Sequence, residues 1–380
     1  MMCFRQSLIG LCAIWLTSFA FGVDKNSHLG TPEIMSKIHN SMVLLLPHSV
    51  GYDGFSSEKN KGKISKHIEK LKDLGAELDR STDKKDDVFK VIAENFASET
   101  SQMLETFRSG NHRNTKFIFQ NLTANCVSCH TRQAGNTSKS KAPLYENIDM
   151  GPLNLIERAE LNTSIRKFDL ALDQYEKAFS KPEISKINKL LIEGYLVDYM
   201  IIGLKVRDDK KRVMKTLNSV AFDASVPLSL KRVLAKWHGF LKNYSTNKKY
   251  DDLDSISELY NKGQDLNSHP FDSSSALVSV LVEKHLQRLL QNQDSLSPET
   301  VSKAYLLYGM CEISLSRPLQ LSKANYFLEK SINKAPKTST AREAYSVLED
   351  HIYFEYSGSS GANVPNHLLN KLTYLKEKIF

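Results

Sequence analysis

Cys126, Val127, Ser128, Cys129 and His130 form the pentapeptide C-x-x-C-H. Two thiols and an imidazole at that spacing are the groups that attach a c-type haem through thioethers and ligate its iron. On a helix, positions i, i+3 and i+4 share one face. Cys126, Cys129 and His130 would then all address one flat macrocycle, two sulfurs toward its vinyl groups and the imidazole toward iron. A structural zinc site competes for such residues, but it needs four N or S ligands, usually as two paired clusters. No second C-x-x-C and no H-x-x-x-H follows in this chain.

The motif needs a scaffold, and from Thr31 onward apolar residues recur at helical spacing in nearly every segment. Alternating, β-branched runs that would mark strands are absent, so the expected class is all-α. Four helices are predicted first: Pro32 to Leu46, ended by Pro47; Glu58 to Leu78; Asp86 to Arg108, ended by Gly110; and Asn114 to Arg132, which carries the motif. They make an expected four-helix bundle over 31–133. Residues 134–151 are polar and small, with Gly135 and Pro143, and lack apolar periodicity. That stretch is expected to be a linker.

A haem motif on the last helix of such a bundle resembles the class II c-type cytochromes, the cytochrome c′ and cytochrome c556 group, over residues about 31 to 135. The segment Ile64-Ser65-Lys66-His67-Ile68-Glu69-Lys70-Leu71-Lys72-Asp73-Leu74 is similar to that family's second helix. The resemblance implies one covalent haem c, with His130 as proximal iron ligand and the first helix facing the distal side. There Met35, His39 and Met42 stand at i, i+4 and i+7, on one face. Counted back from the second helix without gaps, His39 takes the distal position, where the family has methionine or an apolar residue. A gap in the intervening loop would bring Met35 or Met42 there instead. Phe119 and Leu122 precede Cys126 and are expected to pack on the macrocycle; Arg132 is placed to pair with a propionate. His48, His67 and His112 read as solvated residues, and Cys311 as a small buried side chain.

Residues 152–380 hold about ten or eleven more predicted helices, and two stretches show helix-pair spacing near the 34-residue tetratricopeptide period. Leu155, Ala159, Ala171, Tyr175, Ala178 and Pro182 fall close to that repeat's positions. So do Gly309, Ala324, Leu328, Ser331 and Pro336, with extra residues around Ser316-Arg317-Pro318. The region resembles degenerate tetratricopeptide repeats; a generic α-solenoid is the plainer alternative, since any close-packed helical hairpin needs small residues at that spacing. The glycines of Tyr356 to Gly361 read as a helix stop and flexible turn before a last helix, Pro365 to Ile379.

At the start of the chain Arg5 precedes the apolar run Leu8 to Phe21, and Ala20 and Gly22 suit the minus three and minus one positions of a cleavage site. Residues 1–22 are expected to be a secretory signal peptide, too short for a comfortable transmembrane helix, so no stable membrane anchor is expected. Its removal takes Cys3 and Cys12 with it. Export agrees with the motif, because attaching haem to C-x-x-C-H resembles what bacterial cytochrome c maturation does outside the cytoplasm; the expected location is the periplasm. A formal charge of +8 is spread through Lys-rich helices, with no basic patch interleaved with aromatics, so nucleic acid is not an expected partner. The expected role is electron transfer with a redox partner protein, the helical repeats docking that protein or another peptide or subunit. Alternatives are a haem-based gas or redox sensor with five-coordinate iron, and an interaction protein with an accessory haem. Hydrolase and kinase signatures are missing, and an enzyme is not expected.

Overall fold

The computed structural model describes residues 30–49, 54–82, 87–131, 153–246, 248–269, 272–315, 323–359 and 361–380. The expected signal peptide, the linker, Arg132 and the Ser316-Arg317-Pro318 insertion lie outside the described residues. The chain is all-α: among the described residues helices account for 77 %, with 15 α-helices and almost no strand.

The first four are α1 (Thr31–Ser49), α2 (Lys61–Arg80), α3 (Asp87–Arg108) and α4 (His112–His130). Each packs on the next, and α1 also meets α4, so the four enclose a common core. On α2, Ile64, Ile68, Leu71, Leu74 and Leu78 fall on one buried stripe, as an amphipathic helix requires. Gly75 lets α3 approach closely: a Cβ there would stand 2.8 Å from Thr100 Oγ1 and 3.1 Å from Ala97 Cα.

Two boundaries differ from expectation. The helix α1 runs through Pro47 to Ser49, so His48 is helical and not a loop residue. Proline so near a helix end forfeits only one backbone hydrogen bond, which the last turn tolerates. The stretch Glu58–Asn60 is a separate 3₁₀ turn ahead of α2. The turn from α3 into α4 follows expectation, with Gly110 at φ 77°.

Eleven more helices follow: α5 (Leu155–Ser164), α6 (Phe168–Ala178), α7 (Ile192–Met200), α8 (Lys210–Ala221), α9 (Leu228–Asn243), α10 (Leu253–Gln264), α11 (Ala276–Leu290), α12 (Pro298–Ser314), α13 (Ala324–Lys334), α14 (Ser339–Glu355) and α15 (Asn366–Ile379). Successive helices mostly pair in antiparallel-hairpin fashion, α5 with α6, α8 with α9, α10 with α11 and α12 with α13. The small and aromatic residues at repeat spacing sit in these seams. Ala159, Ala171, Tyr175 and Ala178 are buried, and a Cβ on Gly309 would stand 2.7 Å from Leu328 Cγ. Instead of a plain flexible turn, the Tyr356 to Gly361 segment forms a two-residue antiparallel ladder, Ser357 opposite Ala362 and Gly358 opposite Gly361.

The two groups of helices are in direct contact. The helix α5 packs on α4, and Ile92 of α3 belongs to the core of the later helices. That contact builds the site.

Candidate haem cleft

An apolar cleft opens where α1, α4 and α5 meet, with an empty space of about 860 Å³ including the part open to solvent. Met35, Ile38, His39, Met42, Leu46 and Ser49 line it from α1. They follow the i, i+3, i+4, i+7 stripe of one helix face. From α4 come Phe119, Cys126 and His130; the third wall is Leu153 with Glu157, Glu160, Leu161 and Ser164 of α5.

Cys126 and His130 of the motif and all three distal candidates therefore share one cavity. Cys126 is half-buried. Cys129 lies on the same helix three residues on, its side chain outside the described residues. His130 is half-buried and lines the cleft, and its Nδ1 is buried without a hydrogen-bond partner. Burial is the main reason its pKa is lowered to about 4; the charge of Arg166 adds to this, a backbone hydrogen bond with Ser164 opposes it, and His39 contributes a little. Burial likewise lowers His39 to about 4, helped by the charge of Lys167. Both imidazoles are thus neutral near pH 7, the form in which a histidine ligates metal. His130 and His39 line the same cleft from α4 and α1. Met35 is partly buried beside them, and Met42 is 8 % exposed within the core of the first four helices.

Phe119 is 1 % exposed and packs on Phe55 with ring centroids 5.8 Å apart, so it is both core and cleft wall. Leu122 departs from expectation: it is fully buried in the core of α1 to α4 and does not line the cleft. It falls about 60° around the helix from Phe119, whereas Cys126 and His130 fall within about 20° of Phe119 on either side. That rotation turns Leu122 into the seam between helices. His67 and His112, read as solvated, are half-buried, and His112 packs edge-on against Phe107 at 5.4 Å.

The residues present fit a haem. The lining is mostly apolar, a thiol and a neutral imidazole stand on α4, a second imidazole and two thioethers face them from α1, and His130 keeps one buried nitrogen unmatched. Among the described residues no group of three or more His, Cys, Asp or Glu side chains is gathered as for a bare metal ion. A haem iron asks for one or two protein ligands.

The α5 wall is what sequence reasoning missed. Leu155 and Ala159 read only as repeat positions, yet the helix they belong to turns Glu157, Glu160, Leu161 and Ser164 toward the motif. The local signal was its start: Asn154 Oδ1 accepts from the N–H groups of Ile156 and Glu157, and Glu157 Oε2 accepts from Asn154 N–H at 2.9 Å. This capping box fixes where α5 begins and hence which face meets α4. Among the described residues no helix is long and apolar enough to cross a membrane. Compared with protein-family models, with curated proteins and with solved structures, the chain matches none.

Proposed function

We propose that this chain is an exported mono-haem c-type cytochrome that transfers electrons, with one haem c in the cleft between α1, α4 and α5. The observation that carries the reading is the meeting, in one apolar cavity, of Cys126 and His130 from C-x-x-C-H with His39, Met35 and Met42 from the facing helix. Bound there, the haem supplies one-electron exchange between ferric and ferrous iron.

The protein's own part is attachment, ligation and exclusion of water. Cys126 and Cys129 would hold the haem covalently, as thioethers to its vinyl groups. His130 would hold the iron through a ring that burial keeps neutral, and His39, likewise held neutral by burial and lining the same cleft, would supply a second ligand; Met42 and Met35 are the alternatives. Phe119, Ile38 and Leu161 line the cleft and would keep water from a haem held there, and such shielding is one of the levers by which a protein sets a haem potential.

In this reading α1 to α4 form a class II-like four-helix haem bundle. The later helices form a tetratricopeptide-like repeat scaffold that docks a redox partner protein in the periplasm. Optical absorption with electron paramagnetic resonance tests the ligation. Low-spin bis-histidine signals support His39, and low-spin histidine–methionine signals move the role to Met42 or Met35. A high-spin iron whose reduced spectrum shifts with carbon monoxide contradicts a six-coordinate electron carrier and favours the sensor.

A further inference from the structure

The helix α5 sorts its charged side chains by direction. Glu157, Glu160, Leu161 and Ser164 line the cleft; they stand at i, i+3, i+4 and i+7, one face of a helix. The cation of the same helix is used elsewhere: Arg158 Nε donates to Leu153 C=O at 2.8 Å, and Arg158 does not line the cleft. Glu157 is fixed by the capping box, in which its Oε2 accepts from Asn154 N–H at 2.9 Å.

The charge of the lining is therefore one-sided. Among the described residues, α1 contributes Met35, Ile38, His39, Met42, Leu46 and Ser49, α4 contributes Phe119, Cys126 and His130, and both carboxylates come from α5 with no Lys or Arg beside them in the lining. A chain with a formal charge of +8 thus sets an acidic wall against the cavity that Cys126 and His130 share. Composition alone would have favoured the opposite sign. Ferric iron carries one more positive charge than ferrous, so a fixed negative charge beside a haem favours the ferric form. In a cleft walled largely by protein the effective dielectric is below that of water, and the preference survives screening by solvent.

We propose that Glu157 and Glu160 hold the midpoint potential of the haem down, so that α5, the first of the later helices, sets how readily the iron that α4 carries is reduced. The proposal rests on the haem reading given above. The two carboxylates act through space and ligate nothing, and they give the later helices a part in the electron transfer itself.

The test uses the full-length protein with its covalent haem, its midpoint read by spectroelectrochemical titration. Glu157→Gln and Glu160→Gln keep the shape of each side chain and remove its charge; glutamine also serves at the third position of a capping box, so α5 keeps its start. At a fixed potential the ferric to ferrous ratio should fall about threefold for each variant and about tenfold for the two combined, the latter a midpoint about 59 mV higher for a one-electron couple. Glu160→Lys should move the ratio further the same way than Glu160→Gln does. The difference between the parent and the combined variant should shrink by about half or more between about 10 mM and 1 M salt, as the screening length falls from about 30 to 3 Å. A combined variant that keeps covalent haem and the parent's circular dichroism and stays within twofold of the parent ratio overturns the proposal. A shift that is the same at both salt concentrations does so too, because packing and not charge then sets it. A parent protein without covalent haem, seen on a denaturing gel before any potential is measured, overturns the haem reading itself.

Discussion

Phe119 and Leu122 are three residues apart on α4 and equally buried, at 1 % and 0 % exposed, yet only Phe119 borders the cleft. Truncating each to alanine separates packing from cofactor contact. Phe119→Ala removes a buried ring, at about 3 to 5 kcal/mol, together with its tilted pairing to Phe55 at 5.8 Å, about 0.5 to 1.5 kcal/mol of which is specific to aromatic pairs. The open cleft lets the site relax, so a total near the lower end, about 3 kcal/mol, is expected; at 1.4 kcal/mol per tenfold this is roughly a hundredfold in the unfolding constant. Leu122→Ala should cost a similar amount, about 2 to 5 kcal/mol, through a closed cavity in the core. Urea unfolding followed by circular dichroism and by haem absorbance reads both quantities. Both variants should unfold at lower urea, and only Phe119→Ala should move the haem spectrum and midpoint potential of the folded protein. If Leu122→Ala shifts the folded-state spectrum as far as Phe119→Ala does, the assignment of the two faces of α4 is wrong.

Three further outcomes follow from the later helices. Lys205 and Glu283 pair at 2.8 Å with both side chains 5 % exposed, so Lys205→Met, which strands a buried carboxylate, should destabilise by about 3 to 5 kcal/mol, while Lys205→Met with Glu283→Leu should recover most of it; thermal unfolding measures both. His285 is bonded to Tyr244 Oη at 2.9 Å, and burial first, then the charges of Lys284 and Arg288, lowers its pKa to about 4 against opposing Asp208 and Asp251. The unfolded chain binds that proton more readily, so stability is complete above pH 6.5 and falls as pH drops toward 4, by up to about 3 kcal/mol; His285→Gln should flatten this window in a pH series of urea melts. Gly309→Ala would place a Cβ 2.7 Å from Leu328 Cγ, and should cost about 1 to 3 kcal/mol through the α12–α13 seam without altering the haem spectrum.

Much of the site could be read in the chain because the rules that govern it are local. Met35, His39 and Met42 share a face through helical geometry alone, and their common face does open on the cavity that holds Cys126 and His130. The all-α class and eleven helices after the polar stretch follow from apolar periodicity. Pro47 misled because a stop signal was weighed without its distance from the helix end. Leu122 misled because a spacing of three residues was treated as the same direction as seven or eleven. The α5 wall was beyond reach for a different reason: contact between residues separated by a long polar segment is a tertiary fact, and no periodicity in Leu155 to Ser164 points at α4.

The central claim is tested most directly by counting covalent haem on the protein expressed from Met1 in a bacterium that matures c-type cytochromes. Mass spectrometry of the denatured, mature chain should show one haem per polypeptide, lost together with haem staining when Cys126 and Cys129 are both changed to alanine. A mature chain with the mass of the bare polypeptide, or haem that dissociates on denaturation of the parent protein, would contradict the account.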